Sequence, residues 1–210
     1  MHRLFQNQAE KDRVTQEKKM ILGISAGKVG GNTEILVKAA LEECKAAGLE
    51  IEFITLWGKK LNPCVDCNKC KSQPSCWQDD AMKEIQPLLE KADGVLIGSP
   101  TYFANISSRL AMVFERTLPL RRNGFKLKNK VGGALAVGGS RNGGQEAVIG
   151  IIQNWFTLHG MLVVGDDAPT AHFGGIGVGR TTGDAAKDDI GLETARNLGK
   201  HLAEVVKKLK

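Results

Sequence analysis

Aromatic side chains are scarce in this chain: they make up 5% of 210 residues, with a single tyrosine among them. A protein that reads single-stranded nucleic acid by stacking bases on aromatic platforms has little to do so with. Long apolar runs are missing as well. None approaches the ~18 residues that a membrane span needs, and the first twenty residues lack the apolar stretch of a secretory signal. The sequence therefore predicts a soluble, cytoplasmic protein with neither a nucleic-acid nor a membrane partner. Charge of one sign is not extreme either, since 29 basic against 23 acidic side chains leave a modest excess of +6. The four histidines are scattered and read as surface or packing residues, so no side-chain general acid or base stands out.

What is present is enough for a folded domain. A hydrophobic fraction of 42% supports a continuous core and excludes a disulfide-stapled mini-protein, and 25% charged residues is an ordinary globular share. Residues 1–19 are of mixed charge with no apolar stripe and read as an N-terminal extension. From Met20 apolar runs alternate with helical stretches. Strands are predicted at 20–25, 50–56, 94–98, 131–137 and 161–164, and helices at 34–47, 80–91, 106–118, 145–159 and 183–209, with Pro87 expected to break or kink the second. Five strands alternating with five helices imply an α/β fold, one parallel sheet covered on both faces, over residues 20–210. Two connections, 57–79 and 166–182, exceed the ~2–6 residues of ordinary strand-helix joints and read as functional insertions.

The first insertion holds four of the five cysteines. Cys64, Cys67, Cys70 and Cys76 form a C-x2-C-x2-C-x5-C array. In a chain without a secretion signal, such a cluster argues for metal or redox chemistry rather than structural disulfides. Two-residue spacers aim successive thiolates at separate corners of a cuboidal iron-sulfur cluster, and the longer arm containing Pro74 brings the fourth from another side. The spacing suits a [4Fe-4S] cluster. Structural zinc more often uses two separated pairs, and a redox dithiol needs only one pair. Trp77, beside the last cysteine, either shields the site from water or packs in the core. Cys44 lies in the helical run of Leu36, Ala40, Leu41 and Ala47 and is expected to pack as a small apolar side chain.

Three glycine-bearing loops follow strands one, three and four. Ser25-Ala-Gly-Lys28-Val-Gly30-Gly31-Asn32-Thr33 places backbone N–H groups, two polar side chains and a cation ahead of a helix, an arrangement suited to a phosphate or to a plain tight turn. It matches neither the Walker A nor the G-x-G-x-x-G pattern. The second loop runs through Pro100, Thr101, Tyr102, Phe103, Ala104, Asn105 and Ile106, and the third through Gly139, Ser140, Arg141, Gly143 and Gly144. In a doubly wound sheet all three emerge at the carboxyl edge, where ligands bind. The second can lay backbone amides and the Tyr102/Phe103 pair along a planar ring, and the third can close over its other side.

In these residues the chain resembles the iron-sulfur flavoproteins, a branch of the flavodoxin-like FMN reductases. The resemblance covers Met20 to Lys210 and rests on four features in order: Gly-Gly-Asn-Thr, the cysteine array, Ser-Pro-Thr-Tyr, and Gly-Gly-Ser followed by Gly-Gly-Gln. It implies a five-stranded sheet in the order 2-1-3-4-5, with the cysteine-rich insertion 57–79 after strand two. It also implies FMN at the carboxyl edge, a [4Fe-4S] cluster on Cys64, Cys67, Cys70 and Cys76, and homodimers or homotetramers in which one subunit's cluster lies near another's flavin. One departure is visible: the family's usual serine falls on Ala26 and its arginine on Lys28.

The expected function is that of an electron-transfer oxidoreductase, moving single electrons from a ferredoxin-like donor through the cluster to FMN. Two rivals are an NAD(P)H-dependent FMN or quinone reductase and a zinc-stabilised flavin-binding module without turnover. Arg121, Arg122, Lys126, Lys128 and Lys130 stand within ten residues that contain no acid, and are a candidate docking surface for an acidic donor.

Overall fold

The computed structural model describes residues 18–209, so most of the expected N-terminal extension lies outside the described residues. The strands are β1 (Met20–Ser25), β2 (Glu50–Thr55), β3 (Gly94–Pro100), β4 (Val131–Gly138), β5 (Leu162–Val164) and β6 (Gly175–Val178). The helices are α1 (Asn32–Ala46), α2 (Met82–Lys91), α3 (Ser108–Arg116), α4 (Leu118–Arg122), α5 (Gln145–Leu158) and α6 (Asp189–Lys208). All strand pairs are parallel, in the order β2-β1-β3-β4-β5.

Successive strand residues point to opposite faces, and each face carries its own core. Leu22, Ile24, Val95, Ile97 and Ala134 pack with Ile85 and Leu89 of α2, Leu110 and Val113 of α3, and Ile149, Ile152 and Phe156 of α5. On the other face, Ile21, Leu96, Leu135 and Val137 pack with Leu36, Val37 and Leu41 of α1 and Leu198, Leu202 and Val206 of α6. Cys44 belongs to this second core, as expected. Its Sγ lies 3.3 Å from the Gly199 carbonyl, and burial, reinforced by Glu43, pushes the thiol up to about 12.

The sheet has six strands rather than five. β5 pairs with Val131–Gly133, and β6 resumes along the same edge of β4 against Leu135–Gly138, so residues 165–174 bulge out of what would otherwise be one strand. The run Gly-Ile-Gly-Val reads as a loop because glycine is a poor strand former. Its glycines are set by packing: a Cβ on Gly177 would stand 2.7 Å from Leu36 Cδ2.

Helix boundaries differ in three places. α2 runs through Pro87, whose missing N–H would have met the carbonyl of exposed Lys83, where water can substitute. The expected helix at 106–118 starts only at Ser108, with Ser107 Oγ accepting the Leu110 N–H at 3.4 Å, and Thr117 separates it from α4. The closing helix begins at Asp189, after a short 3-10 turn at Asp184–Lys187.

Candidate functional site

A cleft of about 420 Å³ opens at the carboxyl ends of β1, β3, β4 and β6. Of the residues singled out from sequence, Lys28, Gly31, Asn32, Thr33, Pro100, Thr101, Tyr102 and Gly139 line it, joined by Gly27, Val137 and Gly138. The cleft also has a fourth wall, made by Gly179, Arg180 and Thr182, at the end of the 166–182 segment that the sequence marks as a functional insertion without assigning it to this cleft. Asn32 fastens that wall. Its Nδ2 donates to the Thr181 carbonyl at 2.9 Å, and its Oδ1 accepts the N–H groups of Gly183 and Ala185 at 3.0 and 3.1 Å. The contact is close enough that a Cβ on Gly179 would stand 2.4 Å from Asn32 Nδ2. The Asn32 side chain is therefore committed to the loop, which leaves its backbone as the part of this residue free toward the cleft.

At the floor, α1 starts with Gly31 as N-cap and no side-chain cap, which leaves the N–H groups of the first turn facing the cleft with the positive end of the helix dipole. Thr101 adds an unusual feature, because its Oγ1 is buried with no hydrogen-bond partner. Buried polar atoms are nearly always paired, so this hydroxyl stands out among the groups around the cleft.

The other expected residues stand outside the lining. Ser25 is buried at the end of β1, where its Oγ accepts the Gly27 N–H at 3.4 Å. Gly30 donates to Glu34 Oε2 at 3.2 Å. Tyr102 and Asn105 exchange backbone hydrogen bonds of 3.0 and 2.9 Å around Phe103 and Ala104, both at positive φ, with Phe103 wholly exposed at the tip and Ile106 just beyond. Gly144 (φ +94) lies against this tip, where a Cβ would meet that of Ala104 at 2.9 Å. Ser140 and Gly143 belong to a turn stapled by fully buried Gln145, whose amide bonds the Ser140 carbonyl at 2.7 Å and the Gly143 N–H at 2.8 Å. Arg141 pairs with Asp188.

A second cavity brings together all four clustered cysteines with Trp77, Glu115, Arg116, Leu118, Pro119 and Arg122 among its walls. Among the described residues no three His, Cys, Asp or Glu side chains converge as ligands to a single ion would, and the thiols are instead spread around this one cavity. The chain turns between them at Asp66 and Asn68, both at positive φ, which small polar side chains tolerate. The insertion descends along α3. Trp57 stacks under the Arg109 guanidinium at 4.5 Å near the start of the helix, while the Cys64 N–H meets Glu115 Oε2 at 3.0 Å near its end. From Ser108 to Arg116 that helix rises about 12 Å, and the two cavities share no lining residue.

Arg116 anchors the insertion. Its side chain and that of Asp80 are 1% and 0% exposed and form a bidentate pair at 2.7 and 3.1 Å. Arg116 also donates to the Asn62 carbonyl at 2.8 Å and, through Nε, to Cys76 Sγ at 3.2 Å. Burial alone would raise the Asp80 carboxyl, but the bonds from Arg116 and from the Met82 and Asn62 N–H groups hold it below the ordinary range. Two further donors reach the thiols: Arg122 Nη1 at 2.9 Å from Cys70 Sγ, and Trp77 Nε1 at 3.0 Å from Cys67 Sγ. The Cys67 thiol is lowered, first by the Lys69 backbone N–H and then by Trp77. Trp77 is half exposed, so it lies over the thiols rather than in the core. Asp80 and Arg116 carried no local signal in the sequence, and Arg122 was singled out there only as part of a basic run, not as a partner of the thiols.

The model of the NADPH-dependent FMN reductase family matches residues 20–175. An iron-sulfur flavoprotein of Methanocaldococcus jannaschii is 54% identical over 191 residues, 90% of this chain and 98% of that protein. One from Methanosarcina thermophila is 42% identical over 187 residues, covering 89% and 94%. Among solved structures, a flavodoxin, WrbA-like protein from Agrobacterium tumefaciens superposes with a TM-score of 0.65 at 17% identity, over 92% of this chain and all of that one, a likeness of fold alone.

Proposed function

The chain belongs to the NADPH-dependent FMN reductase family and, within it, to the iron-sulfur flavoproteins, and from that premise we propose that it takes single electrons from a ferredoxin-like donor through a [4Fe-4S] cluster to FMN. It is an oxidoreductase working by flavin-based electron transfer. The observation that carries the finer reading is the meeting of four thiols around one cavity, separate from the cleft.

The cleft fits FMN by its own chemistry. The first-turn N–H groups of α1, with Lys28 beside them, would hold the phosphate. The buried Thr101 hydroxyl and the backbone of Tyr102, Gly139 and Gly179 would line the rest of the cofactor, with Arg180 held against the Gly139 carbonyl at 3.0 Å. The cysteine cavity fits a polynuclear cluster by its donor set: Cys64, Cys67, Cys70 and Cys76 would be the ligands, spread over its walls. When bound, the cluster supplies one-electron chemistry, and FMN holds either one electron or two. The protein's own work is to fix both groups, keep them apart and place Trp77 over the thiols. The two cavities share no lining residue, and only the thiol cavity draws on α3, through Glu115 and Arg116. In a homodimer or homotetramer, a second copy would bring a cluster to each flavin.

Metal, labile-sulfide and flavin analysis of anaerobically purified protein tests the reading. About four irons and one FMN per chain are expected, with flavin reduction faster from reduced ferredoxin than from a nicotinamide. One zinc per chain, or no metal, overturns the cluster. Rapid reduction by NADPH alone, which the family description favours, would make the protein a nicotinamide-dependent reductase.

A further inference from the structure

Adding an electron to an iron-sulfur cluster spreads one more negative charge over its sulfurs and its thiolate ligands. Any N–H donor aimed at those sulfurs, and any cation close to them, therefore stabilises the reduced form more than the oxidised one and raises the reduction potential. The four cysteines of this chain are unequal in that respect. Cys70 receives the Arg122 guanidinium at 2.9 Å, Cys67 the Trp77 indole at 3.0 Å and Cys76 the Arg116 Nε at 3.2 Å. Cys64 has a carboxylate nearby instead, since its backbone N–H donates to Glu115.

The three side-chain donors also differ in the charge they bring. Arg116 is neutralised by Asp80 across a bidentate pair, so most of its charge is spent inside the protein. Trp77 is neutral. Arg122 turns its second nitrogen to the Asn68 side-chain oxygen at 3.3 Å, and among the described residues it makes no salt bridge. It is the one thiol donor whose positive charge is uncompensated. It comes from α4, outside the cysteine insertion, so its place is set by the fold of the domain and not by the cluster loop.

Resting on the cluster reading above, we infer that Arg122 is a positioning residue that sets the cluster's reduction potential through Cys70, with Trp77 acting through Cys67 as a weaker partner. The couple concerned adds one electron, forms and breaks no bond to the protein, and is driven by dithionite in the test.

The experiment is an anaerobic dithionite titration of the intact holoprotein, followed by electron paramagnetic resonance for the cluster and visible absorbance for FMN. Arg122→Gln, which removes the charge and shortens the side chain, should make the cluster about tenfold harder to reduce, a shift of about 59 mV for one electron. The shift should shrink with added salt, because the arginine is exposed. Arg122→Lys should fall between, keeping the charge without the guanidinium fork. Trp77→Phe should shift the potential the same way, by about threefold, with little response to salt. The FMN potential should stay unchanged throughout. An Arg122→Gln protein with full iron and a wild-type cluster potential overturns the inference. If Arg122→Gln loses iron, Arg122→Lys decides: a lowered cluster potential with full iron supports the inference and an unchanged one overturns it. Wild-type protein without iron and labile sulfide defeats the cluster reading itself, and metal analysis detects that before any potential is measured.

Discussion

The two cavities are made by opposite means. The cleft is walled largely by backbone at the carboxyl ends of four strands, and its polar groups are the open N–H groups of a helix, an orphan hydroxyl and close-packed glycines. The thiol cavity is walled by side chains from two stretches of chain, 64–78 and 115–122, tied by a buried ion pair. A site of the first kind comes with the doubly wound topology and tolerates changes at many positions. One of the second kind exists only while its few polar ties hold together. The two should therefore fail separately and for different reasons.

The largest expected effect breaks one cavity and spares the other. Replacing any of Cys64, Cys67, Cys70 or Cys76 by alanine should abolish the iron content, while FMN affinity stays within about twofold of wild type because the sites share no residue. Cys44→Ala should spare both groups, since that thiol is buried among α1 and α6 and raised to about 12, far from a ligand's thiolate. Iron lost from Cys44→Ala and kept in Cys76→Ala would reverse the ligand assignment.

Next comes the tie itself. Arg116→Leu leaves the Asp80 carboxylate buried without its counter-charge, at a cost of about 3–5 kcal/mol, a large part of the ~5–15 kcal/mol that holds a domain together. The pH dependence has a defined sign. In the wild type the folded-state pKa of Asp80 is depressed, so the pair contributes stability above the ordinary carboxylate pKa and loses it as pH falls through the depressed value. In the variant the unpaired carboxyl is raised by burial and takes up a proton readily, so its deficit should be greatest near neutrality and shrink in mild acid. Urea unfolding of both proteins at two pH values measures this, and a deficit that is small or equal at the two values would make the pair dispensable.

That contrast also decides what the sequence could reveal. Gly31-Asn32-Thr33, Pro100-Thr101-Tyr102 and the C-x2-C-x2-C array are local patterns whose geometry follows from chain chemistry over a few residues, and all of them reach a cavity wall. Asp80, Arg116 and Arg122 act on partners 36 to 54 positions away, which no local pattern encodes. The strand that leads into the fourth wall of the cleft was hidden for another reason. Gly175–Val178 carries the glycines of a loop, yet they are there because Leu36 and Leu135 leave no room for a Cβ, so packing overrode propensity and made the stretch a strand.

A smaller effect sharpens the reading of the cleft. Thr101→Val replaces a buried, unpartnered hydroxyl by a methyl of similar shape, and should stabilise the cofactor-free protein by about 1 kcal/mol because an unsatisfied polar atom is removed. If that hydroxyl meets FMN, the same change should weaken flavin binding by up to about tenfold. Opposite signs in thermal stability and flavin titration are the signature. A variant that gains stability and binds FMN as before would place the ligand's polar atoms elsewhere in the cleft.

The smallest effect concerns the donor. Five basic residues suggested a docking surface, but the structure employs three of them internally: Arg122 bonds Cys70, Arg121 lies over the Phe125 ring at 5.4 Å, and Lys130 closes on the backbone carbonyls of Glu90 and Ala92. Lys126 and Lys128 remain exposed beside a recess they share with Lys19. Two solvated charges steer an acidic partner weakly, so Lys126→Gln with Lys128→Gln should slow ferredoxin-dependent flavin reduction by only about two- to threefold at low salt. At 1 M salt, where screening acts within about 3 Å, the double variant and the wild type should react alike. Reduction by a small neutral donor should be equal in both at every salt concentration, which separates docking from any change in the cofactors. A low-salt ferredoxin rate equal to that of wild type would move the docking surface away from this segment, and the uncompensated charge of Arg122 beside the thiols would then be the next surface to test.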